Sequence, residues 1–85
     1  MEIKLQKQPQ KYLASVDAPT RKKLWAALEK LKELDGDIVR LAGTQNLYRY
    51  KISHYRIIFS YEGGELIIVE TIDTRTNIKY RRITK

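Results

Sequence analysis

The sequence predicts an α+β domain of order β-α-α-β-β-β, a helical hairpin packed on one face of a mainly antiparallel four-stranded sheet. Two observations lead there. Apolar residues recur with a period near 3.6 up to Leu34 and with a period of 2 from Leu47 onward. The second half is punctuated by short turn signals, Ser53-His54 and Glu62-Gly63-Gly64, at the spacing of a meander.

Each element has its own signal. Glu2 to Gln6 alternates polar and apolar, with Ile3 and Leu5 on one side, as a short half-buried strand does. Pro9 fits the first turn of a helix ending near Val16, with Tyr12, Leu13 and Val16 as its apolar stripe. Asp17 is placed to N-cap a second helix with Pro19 in its first turn. Leu24, Leu28 and Leu31, with Trp25, Ala27 and Leu34, form the core stripe, and Gly36 stops the helix. Asp37 to Asn46 reads as a loop. Leu47 to Ser53 then places Tyr48, Tyr50 and Ile52 on one face and Leu47, Arg49 and Lys51 on the other. Tyr55 to Tyr61 places Tyr55, Ile57 and Phe59 opposite Arg56, Ile58 and Ser60. Glu65 to Ile72, rich in Ile and Val, reads as a central strand buried on both faces. No repeat or low-complexity segment interrupts residues 1–85, which form one domain.

Composition narrows the function classes. Seventeen Lys and Arg against ten Asp and Glu leave a net charge of +7, which favours a polyanionic partner. The charge is unevenly placed. Leu47 to Tyr61 carries Arg49, Lys51 and Arg56 without an acid, Glu62 to Asp73 carries four acids without a base, and Thr74 to Lys85 carries five bases without an acid. If the acidic block points away, the basic blocks converge on one surface suited to a phosphate backbone. With the aromatic face under the helices, Arg49, Lys51 and Arg56 share the opposite face. Like charges opposed in a sheet are destabilising, so they call for solvation or an anion. No segment nears the roughly 18 apolar residues of a membrane span, and no apolar core of a signal peptide precedes the domain, so a soluble cytoplasmic protein is expected.

Without cysteine and with His54 alone, zinc clusters, thiol nucleophiles and paired-histidine ribonuclease chemistry cannot be built. Neither a nucleophile elbow nor a phosphate-binding glycine loop is present. Arg and Lys with Tyr80 nearby can still support metal-free cleavage of RNA, in which the 2′-hydroxyl attacks the adjacent phosphate. Arginine stabilises the charge built up on phosphorus, lysine serves as base where neighbouring cations and partial burial favour its neutral form, and tyrosine holds a base by stacking. His54, at a strand end or turn, reads either as an exposed turn histidine or as an auxiliary phosphate contact at the rim of the basic face.

Three segments carry a resemblance: residues 41–52 (LAGTQNLYRYKI), 54–59 (HYRIIF) and 72–82 (IDTRTNIKYRR). In this order and spacing they resemble the RelE/ParE superfamily of toxins from toxin-antitoxin modules, and the likeness spans essentially the whole chain. The resemblance implies the RelE-like microbial RNase fold and, in the RelE-like branch, a ribosome-dependent endoribonuclease that cuts mRNA in the A site. It implies no cofactor and no metal. It also implies a cognate antitoxin held in a hetero-oligomer, with the ribosome and mRNA as further partners and no membrane. Lys51 then falls at the general base, and Arg49 at a phosphate or ribosomal RNA contact. Arg56 and Arg75 fall at transition-state stabilisers and Tyr80 at the residue that orients the mRNA, while His54, Lys79, Arg81 and Arg82 become RNA contacts. The chain departs from the family's best-studied member in having Arg49 where that member has lysine, and from the branch with a catalytic histidine beside the C-terminal tyrosine in having Lys79 before Tyr80. Two alternatives stay open: a ParE-like DNA gyrase inhibitor without nuclease activity, and a basic RNA-binding domain that does not cut. Arg56 and Arg75 could also be structural partners of Glu70 or Asp73.

Overall fold

The computed structural model describes residues 2–61 and 63–78. Its elements are β1 (Glu2–Leu5), α1 (Lys7–Ser15), α2 (Ala18–Leu31), β2 (Asp37–Arg40), β3 (Leu47–Ile52), β4 (Tyr55–Ser60) and β5 (Leu66–Thr74). The sheet is mixed and five-stranded, in the order β1-β5-β4-β3-β2, with β1 parallel to β5 and the other pairs antiparallel.

The expected four strands become five because β2 lies inside the segment read as a loop. It is four residues long and sits at the sheet edge, where Ile38 is half-buried and Val39 exposed. An edge strand of that length needs no core alternation and so leaves no period-2 signal.

Both helices pack on one face. Leu13 from α1 and Leu24, Ala27, Leu28 and Leu31 from α2 meet Tyr50, Ile57, Phe59, Ile67, Val69 and Ile72 from the sheet. The β3 and β4 alternation is as expected, since Tyr50, Ile57 and Phe59 all join this core. Two residues of the expected stripe do not: Trp25 is 43% exposed, and Leu34 lies beyond the last helical turn. Leu34 takes a left-handed φ of 52° and Gly36 a φ of 130°, so the chain turns out of α2 across three residues and not at a single glycine. Asp17 does occupy the N-cap of α2, without a side-chain capping bond.

The strand expected to be central lies second from the edge, and its apolar run is explained by a bulge. Phe59 pairs with Val69 and Ile58 with Thr71, so Glu70 is the extra residue. That insertion shifts the alternation by one, and Ile67, Val69 and Ile72 all reach the helix side. The opposite face of β5 carries Ile68, Glu70, Thr71 and Asp73, which are only half-buried.

Arg21 joins the helices. From α2 its Nε donates to Leu13 O at 2.7 Å and its Nη2 to Val16 O at 2.8 Å, supplying partners to carbonyls that the end of α1 leaves free. No helix among the described residues is long and apolar enough to cross a membrane.

Candidate functional site

The face turned away from the helices is built by strand register. Lys51 on β3 stands directly opposite Arg56 on β4 and, on its other side, opposite Asp37 on β2. Arg56 stands opposite Asp73 on β5. One row therefore reads Asp37, Lys51, Arg56, Asp73 across four strands. The next reads Val39, Arg49, Ile58, Thr71. Of the three cations foreseen on this face, Lys51 and Arg56 are directly opposed, where side chains lie roughly 5 Å apart at Cβ, and Arg49 stands one row away, opposite Ile58.

Their environments differ. Lys51 is exposed, so the partial burial expected to favour its neutral form is not there. Arg49 forms an ion pair with Asp37, with Nη2 3.6 Å from Oδ1. Arg56 is 8% exposed, and its Nη1 donates to Ser53 O at 3.2 Å and Tyr55 O at 2.9 Å. A tight two-residue hairpin makes those carbonyls available, with Ser53 in a left-handed conformation (φ 55°) and Ile52 paired to Tyr55. Ile58 is fully buried on the same face, which is therefore not a bare plain of solvated cations.

Arg75 reaches the same end of the sheet. Tyr55 pairs with Thr74, so the next residue past β5 lies beside the β3–β4 turn, and the Arg75 N–H donates to His54 O at 2.8 Å. Arg75 and His54 are both exposed, and the His54 ring lies 4.2 Å from that of Tyr55. Lys51, Arg56, His54 and Arg75 thus gather at one end, with Arg49 two residues further along β3. Lys79, Tyr80, Arg81 and Arg82 lie outside the described residues.

The acidic block does not point wholly away from the cations: Asp73 is in register with Arg56, the pairing left open as an alternative, and Glu70 accepts a hydrogen bond from Ser60 Oγ at 3.2 Å. The bulge at Glu70, invisible in a pattern of period 2, decides which way these groups face. Asp37 was hidden in the segment read as a loop. Neither Arg56 nor Arg75 forms an ion pair with Glu70 or Asp73 among the described residues. Tyr12 also approaches this end: its phenol is pushed above the ordinary value by burial first, then by the charge of Asp73 and by Tyr55.

Chemically, the end holds exposed guanidinium and ammonium groups around a rigid hairpin turn. Arginine offers a fixed fork of donors to phosphate, and lysine a mobile point charge. Among the described residues no three His, Cys, Asp or Glu side chains form a metal-ligand set.

No protein-family model matches the chain, and no curated protein matches it. Solved structures do. A RelB-RelE antitoxin-toxin complex from Methanococcus jannaschii contains a chain that superposes with a TM-score of 0.69 at 25% identity, over 86% of this chain and 91% of that one. An archaeal RelE-RelB complex from Pyrococcus horikoshii OT3 gives a TM-score of 0.69 at 23% identity, over 91% of this chain and 97% of that one. Two helices on one face of a five-stranded mixed sheet are the architecture of a RelE-like toxin fold.

Proposed function

We propose that this chain is the toxin of a toxin-antitoxin pair, acting in the cytoplasm as a metal-independent endoribonuclease that cuts mRNA in the ribosomal A site. A cognate antitoxin silences it in a hetero-oligomer, as the RelB-RelE complexes found by structural likeness suggest. The observation that carries the catalytic part is the pairing of Lys51 with Arg56, with Arg49 on the same face and Arg75 hydrogen-bonded to the same turn.

In this reading the message lies over the sheet face away from the helices. Lys51 takes the proton of a 2′-hydroxyl as that oxygen attacks the adjacent phosphorus. The bond from phosphorus to the 5′ oxygen breaks, that oxygen takes a proton from water while Lys51 returns its proton to solvent, and the products are a 2′,3′-cyclic phosphate and a 5′-hydroxyl. Arg75, exposed and anchored through its backbone, stabilises the added charge on the phosphate. Arg56, with Nη1 bonded to the turn carbonyls, contributes fixed positive charge beside Lys51 on the adjacent strand. Arg49 holds a flanking phosphate or ribosomal RNA, and His54 contacts phosphate at the rim. Tyr80 orients the scissile nucleotide by stacking, and Lys79, Arg81 and Arg82 add RNA contacts. Because Lys51 is exposed in the free chain, it is the ribosome-bound message that covers it and completes the site.

The test is to incubate the purified chain with ribosomes carrying a defined message and to map mRNA ends by primer extension. New ends within the A-site codon are expected. Intact message at stoichiometric protein overturns the reading.

A further inference from the structure

Asp37 lies on the cation face but was no part of the expected site. It stands in register with Lys51, yet its ion pair runs diagonally to Arg49. The pair is long at 3.6 Å, with the Asp37 side chain 51% exposed and the Arg49 side chain 28% exposed, so water and an arriving anion can reach it. Arg49 Nε is buried and has no hydrogen-bond partner among the described residues. An arginine bound to phosphate or carboxylate at full strength makes two parallel N–H···O bonds from its fork. Here one terminal nitrogen makes one long contact, an incomplete form of the interaction that a phosphate would complete.

The row of four adds a second argument. Lys51 and Arg56 oppose each other directly, and a carboxylate stands at either end, Asp37 beside Lys51 and Asp73 beside Arg56. Opposed like charges destabilise a sheet. The flanking carboxylates offset that repulsion when no ligand is bound. They differ in freedom, because Asp73 Oδ1 accepts the Thr74 N–H at 2.8 Å, whereas the Asp37 carboxylate has its weak pair with Arg49. Asp37 is the one placed to give way.

We infer that Asp37 is an internal stand-in for a substrate phosphate: it holds Arg49 in the free chain and is displaced when an RNA phosphate takes that guanidinium. This deepens the proposed reading of the face and rests on it. Asp37 is a positioning residue that acts through Arg49, and its carboxylate opposes binding. Removing the carboxylate therefore tightens RNA binding, whereas loss of a merely structural residue would loosen it.

The test measures binding of a short fluorescein-labelled single-stranded RNA by anisotropy across a series of potassium chloride concentrations. The proteins are the purified chain, Asp37→Asn, Asp37→Ser, Arg49→Ala and the Asp37→Asn/Arg49→Ala pair. Asp37→Asn should bind about threefold tighter, the scale of one exposed ion pair released. Its plot of log affinity against log salt should keep the parent's slope, because Arg49 neutralises the same phosphate in both complexes. Asp37→Ser should move the same way, and the gain should vanish when Arg49 is alanine. Unchanged or weaker binding by both Asp37 variants overturns the inference, and so does an equal gain without Arg49, which would be a general charge effect. If Arg49→Ala weakens binding while the Asp37 variants are silent, the inference falls alone. If Arg49→Ala has no effect on binding, the phosphate reading of Arg49 falls with it.

Discussion

The carboxamide of Gln8 takes both backbone hydrogen bonds of Ile72: its Oε1 accepts the Ile72 N–H at 2.9 Å, and its Nε2 donates to the Ile72 carbonyl at 2.8 Å. β1 pairs with β5 only from Leu66 to Val69, and Gln6 N–H closes the ladder on Val69 O at 3.0 Å. Past that point β5 has no partner strand on this side, and a side chain from the first turn of α1 takes the strand's place. The contact fixes α1 against the part of β5 that leads to Asp73 and Arg75.

Gln8→Ala should therefore cost about 2 kcal/mol, since it leaves a donor and an acceptor in a part-buried site without partners. Urea denaturation followed by circular dichroism reads this directly. Amide exchange at Ile72 should accelerate more than at Gln6, whose own N–H stays bonded to Val69 O.

Gly36 carries a second structural prediction. It has a φ of 130°, and a Cβ built there would collide with the Tyr50 ring. Gly36→Ala should destabilise the fold by more than about 2 kcal/mol, combining backbone strain with displacement of a buried tyrosine. Gly43, with a φ of 78° and open space around it, should tolerate alanine at about 1 kcal/mol. The difference between the two melting temperatures is the measurement.

Arg21→Met should cost about 2 kcal/mol by stranding the carbonyls of Leu13 and Val16 while keeping the length of the side chain. Arg21→Lys should recover only part of this, because one ammonium cannot reproduce the donor geometry of Nε and Nη2. Chemical denaturation of the two variants against the parent decides it.

Alkaline pH should weaken the fold. The Tyr50 phenol is pushed above its ordinary value of 10.0 by burial first and by the charge of Asp35 second, and Tyr12 is raised as well. The native state thus favours the neutral phenols. Their contribution is fully present below pH 10 and is lost as pH rises through the raised native values, because the unfolded chain ionises first. Denaturation midpoints should show a decline above pH 10 that Tyr50→Phe makes shallower.

Much of this was legible in the sequence, and each feature that escaped it has a physical cause. The alternation in β3 and β4 assigned Tyr50, Ile57 and Phe59 to the core and Arg49, Lys51 and Arg56 to the other face, since one residue of register decides both. The bulge at Glu70 was not legible, because an inserted residue leaves the composition of a strand unchanged while reversing the facing of every later residue in it, and it brought Asp73 alongside Arg56. β2 escaped for want of buried residues, and with it Asp37 as partner of Arg49. The burial of Arg56 on turn carbonyls depends on a hairpin geometry that residue types alone do not specify. The roles of Gln8 and Arg21 arise only when α1 meets β5 and α2.

The central claim is that the cation face cuts RNA by attack of its own 2′-hydroxyl. The most direct measurement is end-group analysis of the message recovered from programmed ribosomes after a single turnover with the purified chain, beside Lys51→Ala and Arg75→Ala. The expected result is a 5′-hydroxyl on the downstream fragment and a 2′,3′-cyclic phosphate on the upstream one, with the rate falling at least about a hundredfold in each variant. Uncut message with the unaltered chain, or a 5′-phosphate at the cut, would contradict it.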